Sequence, residues 1–176
     1  MKKGSFNNVA DHLNLKGDPK VLKALVSNSA ANDTILWSCS VTKINRKGKA
    51  QKRALAITNR HVLNLMPDNY SKCNRCIDLR AVHHLSTSRS AQEFVVHVST
   101  EYDYRFKLEQ GMHGPKQAQE LLDEVVAVLR SACEAAKGAA LEVTGMASRL
   151  SPSYHPHTLT ASLPHSSHHP AYHPRR

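Results

Sequence analysis

Residues 41–58 read V-T-K-I-N-R-K-G-K-A-Q-K-R-A-L-A-I-T. Two apolar-bearing segments flank a short basic turn. Gly48 stands where a tight reversal can use positive φ at no steric cost. The stretch therefore predicts a β-hairpin. Lys43, Arg46, Lys47, Lys49, Lys52 and Arg53 occupy its loop and strand ends, with no acid among them. Arg offers a planar fork and Lys a mobile point charge, so a cluster of this kind attracts phosphorylated groups. The same run also suits a plainer purpose, a solvated edge that resists aggregation.

Working outward, Thr34 to Val41 is β-type and holds the single Trp, Trp37. After Thr58, Asn59-Arg60 turns the chain into a third strand, His61 to Met66, which Pro67-Asp68-Asn69 closes. Residues 76–82 alternate with period two, Ile77 and Leu79 inward and Asp78 and Arg80 outward, and predict one strand. S-T-S-R-S after Leu85 reads as a polar turn. Glu93 to Val98 predicts a strand with Phe94, Val96 and Val98 on one face. Tyr102, Tyr104 and Phe106, alternating with Asp103, Arg105 and Lys107, form its hairpin partner. Short strands at near-regular spacing suggest a small antiparallel barrel or sandwich.

Two helices frame these strands. Asp18 is a good N-cap and Pro19 suits a first turn, so a short helix runs from there to about Ser27. Lys116 to about Ala136 carries apolar residues close to the i, i+3, i+4, i+7 pattern, and Gly138 stops it. Residues 140–145 add a short edge strand. From Ala147 the chain is rich in Ser, Pro and His and is expected to be disordered. Its six His (155, 157, 165, 168, 169 and 173) read as composition more than as a metal site. The fold class is α+β: a pleckstrin-homology-like antiparallel β-barrel or sandwich capped by a C-terminal amphipathic helix. Residues 1–17 form an N-terminal extension, 18–146 the domain and 147–176 the tail.

The 176 residues carry a formal charge of +10, 24 Lys and Arg against 14 Asp and Glu, which favours acidic partners. No run of about 18 apolar residues occurs, and the start M-K-K-G-S-F lacks a secretory core, so any membrane contact is expected to be peripheral. Cys39, Cys73, Cys76 and Cys133 are expected to be reduced thiols. Cys73-Asn-Arg-Cys76 has no second pair at short spacing and reads as a turn with two incidental thiols, so no metal is expected.

H-L-N-L-K-G-D-P-K-V-L-K-A-L, then I-L-W-S-C-S-V-T-K-I-N-R-K-G-K-A-Q-K-R-A-L-A-I-T-N-R-H-V-L-N-L, then I-D-L-R-A-V-H-H-L-S-T-S-R-S-A-Q-E-F-V-V-H-V together resemble the tail homology 1 domain of class I (single-headed) myosins. The likeness runs from about Asp11 to Lys107 in colinear order. Gln92-Glu93-Phe94 departs from that family's Asp-x-Phe. The resemblance implies a pleckstrin-like tail that holds a motor on anionic lipid, notably phosphoinositides, and links membrane to actin. It places the lipid-binding signature on Lys43 and Arg53, supported by Arg46, Lys47, Lys49 and Lys52. It implies a cytoplasmic protein, peripheral at the inner face of membranes and the cell cortex.

No G-x-x-x-x-G-K-[ST] occurs, and no nucleophile–base–orienter set is recognisable, so no enzyme activity and no cofactor are expected of this chain. His83, His84 and His97 read as strand residues. Two other functions stay open: a basic protein-interaction module meeting an acidic partner, and a nucleic-acid binder. Aromatics make up only 5% of residues, too sparse for a base-stacking platform, so nucleic acid is not expected. The chain is expected to act as a monomer.

Overall fold

The central hairpin forms where its residues place it. In the computed structural model, which describes residues 10–108 and 115–145, β2 (Ile35–Ile44) and β3 (Ala50–Thr58) pair antiparallel. β4 (His61–Met66) and β5 (Asn69–Asp78) continue the meander beyond β3. Beyond β2 lie β8 (Tyr104–Leu108), β7 (Glu93–Val98), β6 (Val82–Ser88) and β9 (Glu142–Gly145). The order is β5-β4-β3-β2-β8-β7-β6-β9, and β1 (Ala10–Asp11) runs parallel to β2. β5 and β9 are the ends of this path, so the barrel-like sheet is not closed.

Alternation gives the sheet two buried faces. Trp37, Cys39, Val41, Leu55 and Ile57 join the larger core, which α2 (Pro115–Lys137) covers with Leu121, Leu122, Val125 and Leu129. On the other face Ala54, Ala56, Leu63 and Leu65 pack against Val21, Ala24 and Leu25 of α1 (Pro19–Ser27). Burying each larger aliphatic side chain contributes about 1.5–3 kcal/mol, and a nine-residue helix depends on that packing. The Asp18 side chain caps α1 by accepting from the amides of Lys20 and Val21. Leu15 is buried in the same cluster.

α2 is pinned at its middle and at its C-terminal end. Glu124 Oε2 accepts from Trp37 Nε1 at 3.3 Å and meets His12 Nε2 at 2.8 Å. Lys137 Nζ donates to the Val82 carbonyl at 2.5 Å. Gly138, at φ +72°, then stops the helix, its amide reaching the Glu134 carbonyl at 2.8 Å. The expected edge strand forms as β9, parallel to β6.

Four local expectations are corrected. Residues 76–82 are not one strand: Asp78 accepts from the Arg80 amide at 2.8 Å and caps a 3-10 turn, Leu79–Ala81. Ile77 and Leu79 are nonetheless both buried. Cys73 and Cys76 do not form a turn but lie within β5, where Arg75 opposes Asn64 and Cys73 opposes Leu65, leaving Asn74 as a bulge. Residues 86–88 extend β6, because Ser86 Oγ is satisfied by His97 Nε2 at 2.7 Å, and the reversal comes after Ser88. Tyr102 precedes β8 and is not part of it. The expected disorder of the tail falls outside the described residues.

Candidate functional site

The hairpin tip is shaped by one asparagine and one glycine. Asn45 Oδ1 accepts from the amides of Lys47 and Lys49, each at 2.9 Å, and its carbonyl accepts from Gly48 N at 2.9 Å. Gly48 adopts φ +74°, so Arg46-Lys47-Gly48 forms a three-residue loop with glycine in the left-handed position. Arg46, Lys47 and Lys49 are exposed on it.

The register sorts the remaining cations between two faces. Directly opposed residues of antiparallel strands share a face. Val41, in the core, opposes Arg53, and Lys43 opposes Gln51. Lys43 and Arg53 therefore project on the core-facing side, beyond the last apolar layer. Lys52 opposes Thr42 and projects on the other side. The six residues expected to act together are thus two on the inner face, three on the loop and one on the outer face.

The inner face gains partners that the hairpin sequence does not contain. Lys43 Nζ lies 4.8 Å from the ring centre of Tyr104 and 5.4 Å from that of Tyr102. The Arg46 guanidinium sits 4.6 Å over Tyr102. From β5, Arg75 reaches the same two tyrosines and pairs loosely with Glu101, Nε to Oε2 3.6 Å. Asn64 opposes both Leu55 and Arg75, which puts it on this face too. Its amide is buried with neither atom partnered, and Arg53 Nε is also buried and unpartnered. Arg53 Nη1 donates to the Lys52 carbonyl at 2.6 Å.

The electrostatics record the local field. Burial pushes the Tyr102 phenol up, but the Tyr104 hydroxyl, then Lys43 and Arg75, outweigh it and hold Tyr102 below its ordinary value. Burial and the neighbouring Glu101 carboxylate raise Tyr104, whose hydroxyl donates to Glu101 Oε2 at 2.5 Å. The mouth of the inner face is electropositive, with Glu101 as its internal anion. Arg75 was legible in principle: it lies two residues before Ile77, so strand alternation places the two on one face.

Elsewhere the chemistry is sparse. Burial and Cys73 push the Cys76 thiol up to about 12, which suits an unreactive strand residue. Among the described residues, no group of three or more His, Cys, Asp or Glu is arranged to hold a metal ion. His83, His84 and His97 stand on β6 and β7; His97 bridges Ser86 and Asp103, and His84 meets Thr144. An open depression of about 610 Å³ beside Cys76, Asp78, Arg80, Ser99, Thr100 and Glu101 mixes both charges and lies off the hairpin. No described helix is long and apolar enough to cross a membrane.

A family model described as an unconventional myosin tail, actin- and lipid-binding, matches residues 7–149. The myosin IA heavy chain of Dictyostelium discoideum is 27% identical over 110 residues, 58% of this chain and 11% of that protein. Human unconventional myosin-Ig is 37% identical over 62 residues, 35% of this chain and 6% of its own length. The chain thus matches only a small part of these relatives. Among solved structures, the hSac2 domain of the human phosphoinositide phosphatase Sac2 superposes with a TM-score of 0.52 at 12% identity, covering 86% of this chain and 98% of that one. At that identity the likeness is one of fold.

Proposed function

The chain belongs to the unconventional myosin tail family, as a tail homology 1 domain of the class I type, and we propose that it holds phosphoinositide headgroups in the inner mouth of its central hairpin. The domain is a membrane-binding tail module and not a motor domain. What supports the site is the register, which carries Lys43 and Arg53 to one face while β5 delivers Arg75 to the same two tyrosines. Lys43 and Arg53 contact phosphates directly. Arg46, Lys47 and Lys49 supply field from the loop, and Lys52 does so from the outer face. A phosphate oxygen reaching Arg53 Nε would satisfy a buried donor whose isolation costs about 1–3 kcal/mol. In this reading the protein acts at the inner face of the membrane, as a monomer, and connects lipid to actin.

Vesicle co-sedimentation at physiological salt tests the site. Cations near an anionic surface contribute about 1 kcal/mol each, so six give a Kd of tens of micromolar before any specific contact. Lys43→Ala/Arg53→Ala and Lys47→Ala/Lys49→Ala remove equal charge. The second pair should lose bisphosphorylated phosphatidylinositol vesicles by about 30-fold, from its two charges alone, and the first by more, because only the first removes direct phosphate bonds. Equal losses in the two variants would leave only a diffuse basic surface.

A further inference from the structure

α1 carries the large hydrophobic side chains that remain exposed among the described residues, Leu22 at 48% and Val26 at 65%. At about 100° per residue, Val21, Ala24 and Leu25 define its buried side. The opposite side is centred on Pro19, Val26 and Lys23, with Leu22 and Lys20 flanking them. Leu22 and Val26, four apart, form one apolar ridge; the exposed Lys23, three before Val26, borders it, and the exposed Lys20 stands next to Lys23 on the flank away from Leu22. No acid occurs from Pro19 to Asn32. Asp18 before the helix is occupied as its cap, and Asp33 beyond it is buried against Thr58, Arg60 and His61.

The outer face of the hairpin continues this basic side. Lys52 alternates along β3 with Ala54 and Ala56, the residues on which α1 packs. Thr42, between strands, opposes Lys52 on β3 and Lys107 on β8. Apolar ridge, bordering lysines and lack of acid together match an anionic bilayer, where Leu and Val enter the headgroup–acyl boundary and lysine stems snorkel to phosphate. An acidic protein surface would match the lysines but not the ridge. A symmetric second copy would set Lys20 and Lys23 against their own equivalents.

We infer that α1 is a second membrane contact, inserting Leu22 and Val26 into an anionic bilayer while Lys20, Lys23 and Lys52 meet its headgroups. The inference rests on the membrane reading of the hairpin, and its test separates the two. Leu22→Trp is titrated with phosphatidylserine vesicles with and without brominated acyl chains; Trp37 is buried, so the parent protein supplies the baseline. The expected result is a blue shift and bromine quenching in Leu22→Trp alone. Leu22→Ser/Val26→Ser should also bind these vesicles about tenfold more weakly, since both side chains lose their partial burial in the bilayer. Both positions are exposed, so an unchanged melting temperature is expected. Vesicle binding without quenching overturns this inference and leaves the hairpin site standing. A concentration-dependent blue shift without lipid assigns α1 to a second copy and overturns it as well. Failure of the parent to bind any vesicle overturns both readings.

Discussion

Replacing Glu101 by Gln should strengthen binding to anionic vesicles. Glu101 Oε2 accepts from Tyr104 and stands 3.6 Å from Arg75 Nε, so a carboxylate occupies the mouth into which an anionic headgroup would have to fit. Two unit charges at that distance attract by about 4–5 kcal/mol at an effective dielectric constant of about 20. The Arg75 side chain is 51% exposed and that of Glu101 30%, so water screens most of this. Exposed pairs of this kind are worth about 0.2–1 kcal/mol. Gln keeps the acceptor for Tyr104 and removes only the charge, so the hydrogen-bonded frame should survive. The expected gain is up to about fivefold in affinity for bisphosphorylated phosphatidylinositol vesicles, read by co-sedimentation. The gain should shrink as salt shortens the screening length. It should vanish when combined with Lys43→Ala/Arg53→Ala. Unchanged or weaker binding by Glu101→Gln at low salt would refute the idea that Glu101 competes with the headgroup.

Three further outcomes follow from local geometry. Burial works against ionisation of Asp33, but bonds from Thr58, His61 and Arg60 outweigh it and hold the carboxyl below its ordinary 3.8. A depressed folded-state pKa adds stability that is complete above 3.8 and is lost as pH falls through the lower folded value. Asp33→Asn should therefore cost about 3 kcal/mol at neutral pH in urea unfolding, and the gap should close in acid; a gap independent of pH would count against this. Gly48→Ala meets no atom within 4 Å, so its cost is the backbone alone at φ +74°, about 1–2 kcal/mol in thermal melting, and no loss would contradict the left-handed loop. With its pKa pushed up to about 12, Cys76 should be alkylated at least about tenfold more slowly in the folded chain than in the urea-unfolded chain at pH 8, read by mass spectrometry; equal rates would show the strand to be open.

The hairpin, both helices, the β7–β8 pair and the final edge strand were legible because each has a local cause. Gly48 carries the turn, Asp18-Pro19 starts α1, and Gly138 stops α2. The misread stretches hide causes that alternation and composition do not show, one a local side-chain cap and one a cross-strand partner. Residues 76–82 alternate as a strand does, yet the Asp78 side chain captures the Arg80 amide and ends the strand. Ser86 and Ser88 look like turn residues, but Ser86 is matched across the sheet by His97. Nothing near Ser86 in the chain announces that partner.

The same distinction governs the site. Charge density and resemblance pointed to six neighbouring cations in one cluster, but a strand has two sides. Counting in steps of two from Val41 places Lys43 on the core-facing side, and counting from Ala54 places Lys52 on the other. That division follows from the sequence once the register is known, and the register depends on the length of the loop closed by Asn45 and Gly48. Arg75 is harder to read. The bulge at Asn74 resets the alternation within Cys73–Cys76, so Arg75 shares a face with Ile77 but not with Cys73. One unpaired residue thus brings a cation beside Tyr102 while both thiols stay on the side of α1. The Cys73–Cys76 stretch, which reads in the sequence as a turn with two incidental thiols, is better explained as the device that aims Arg75.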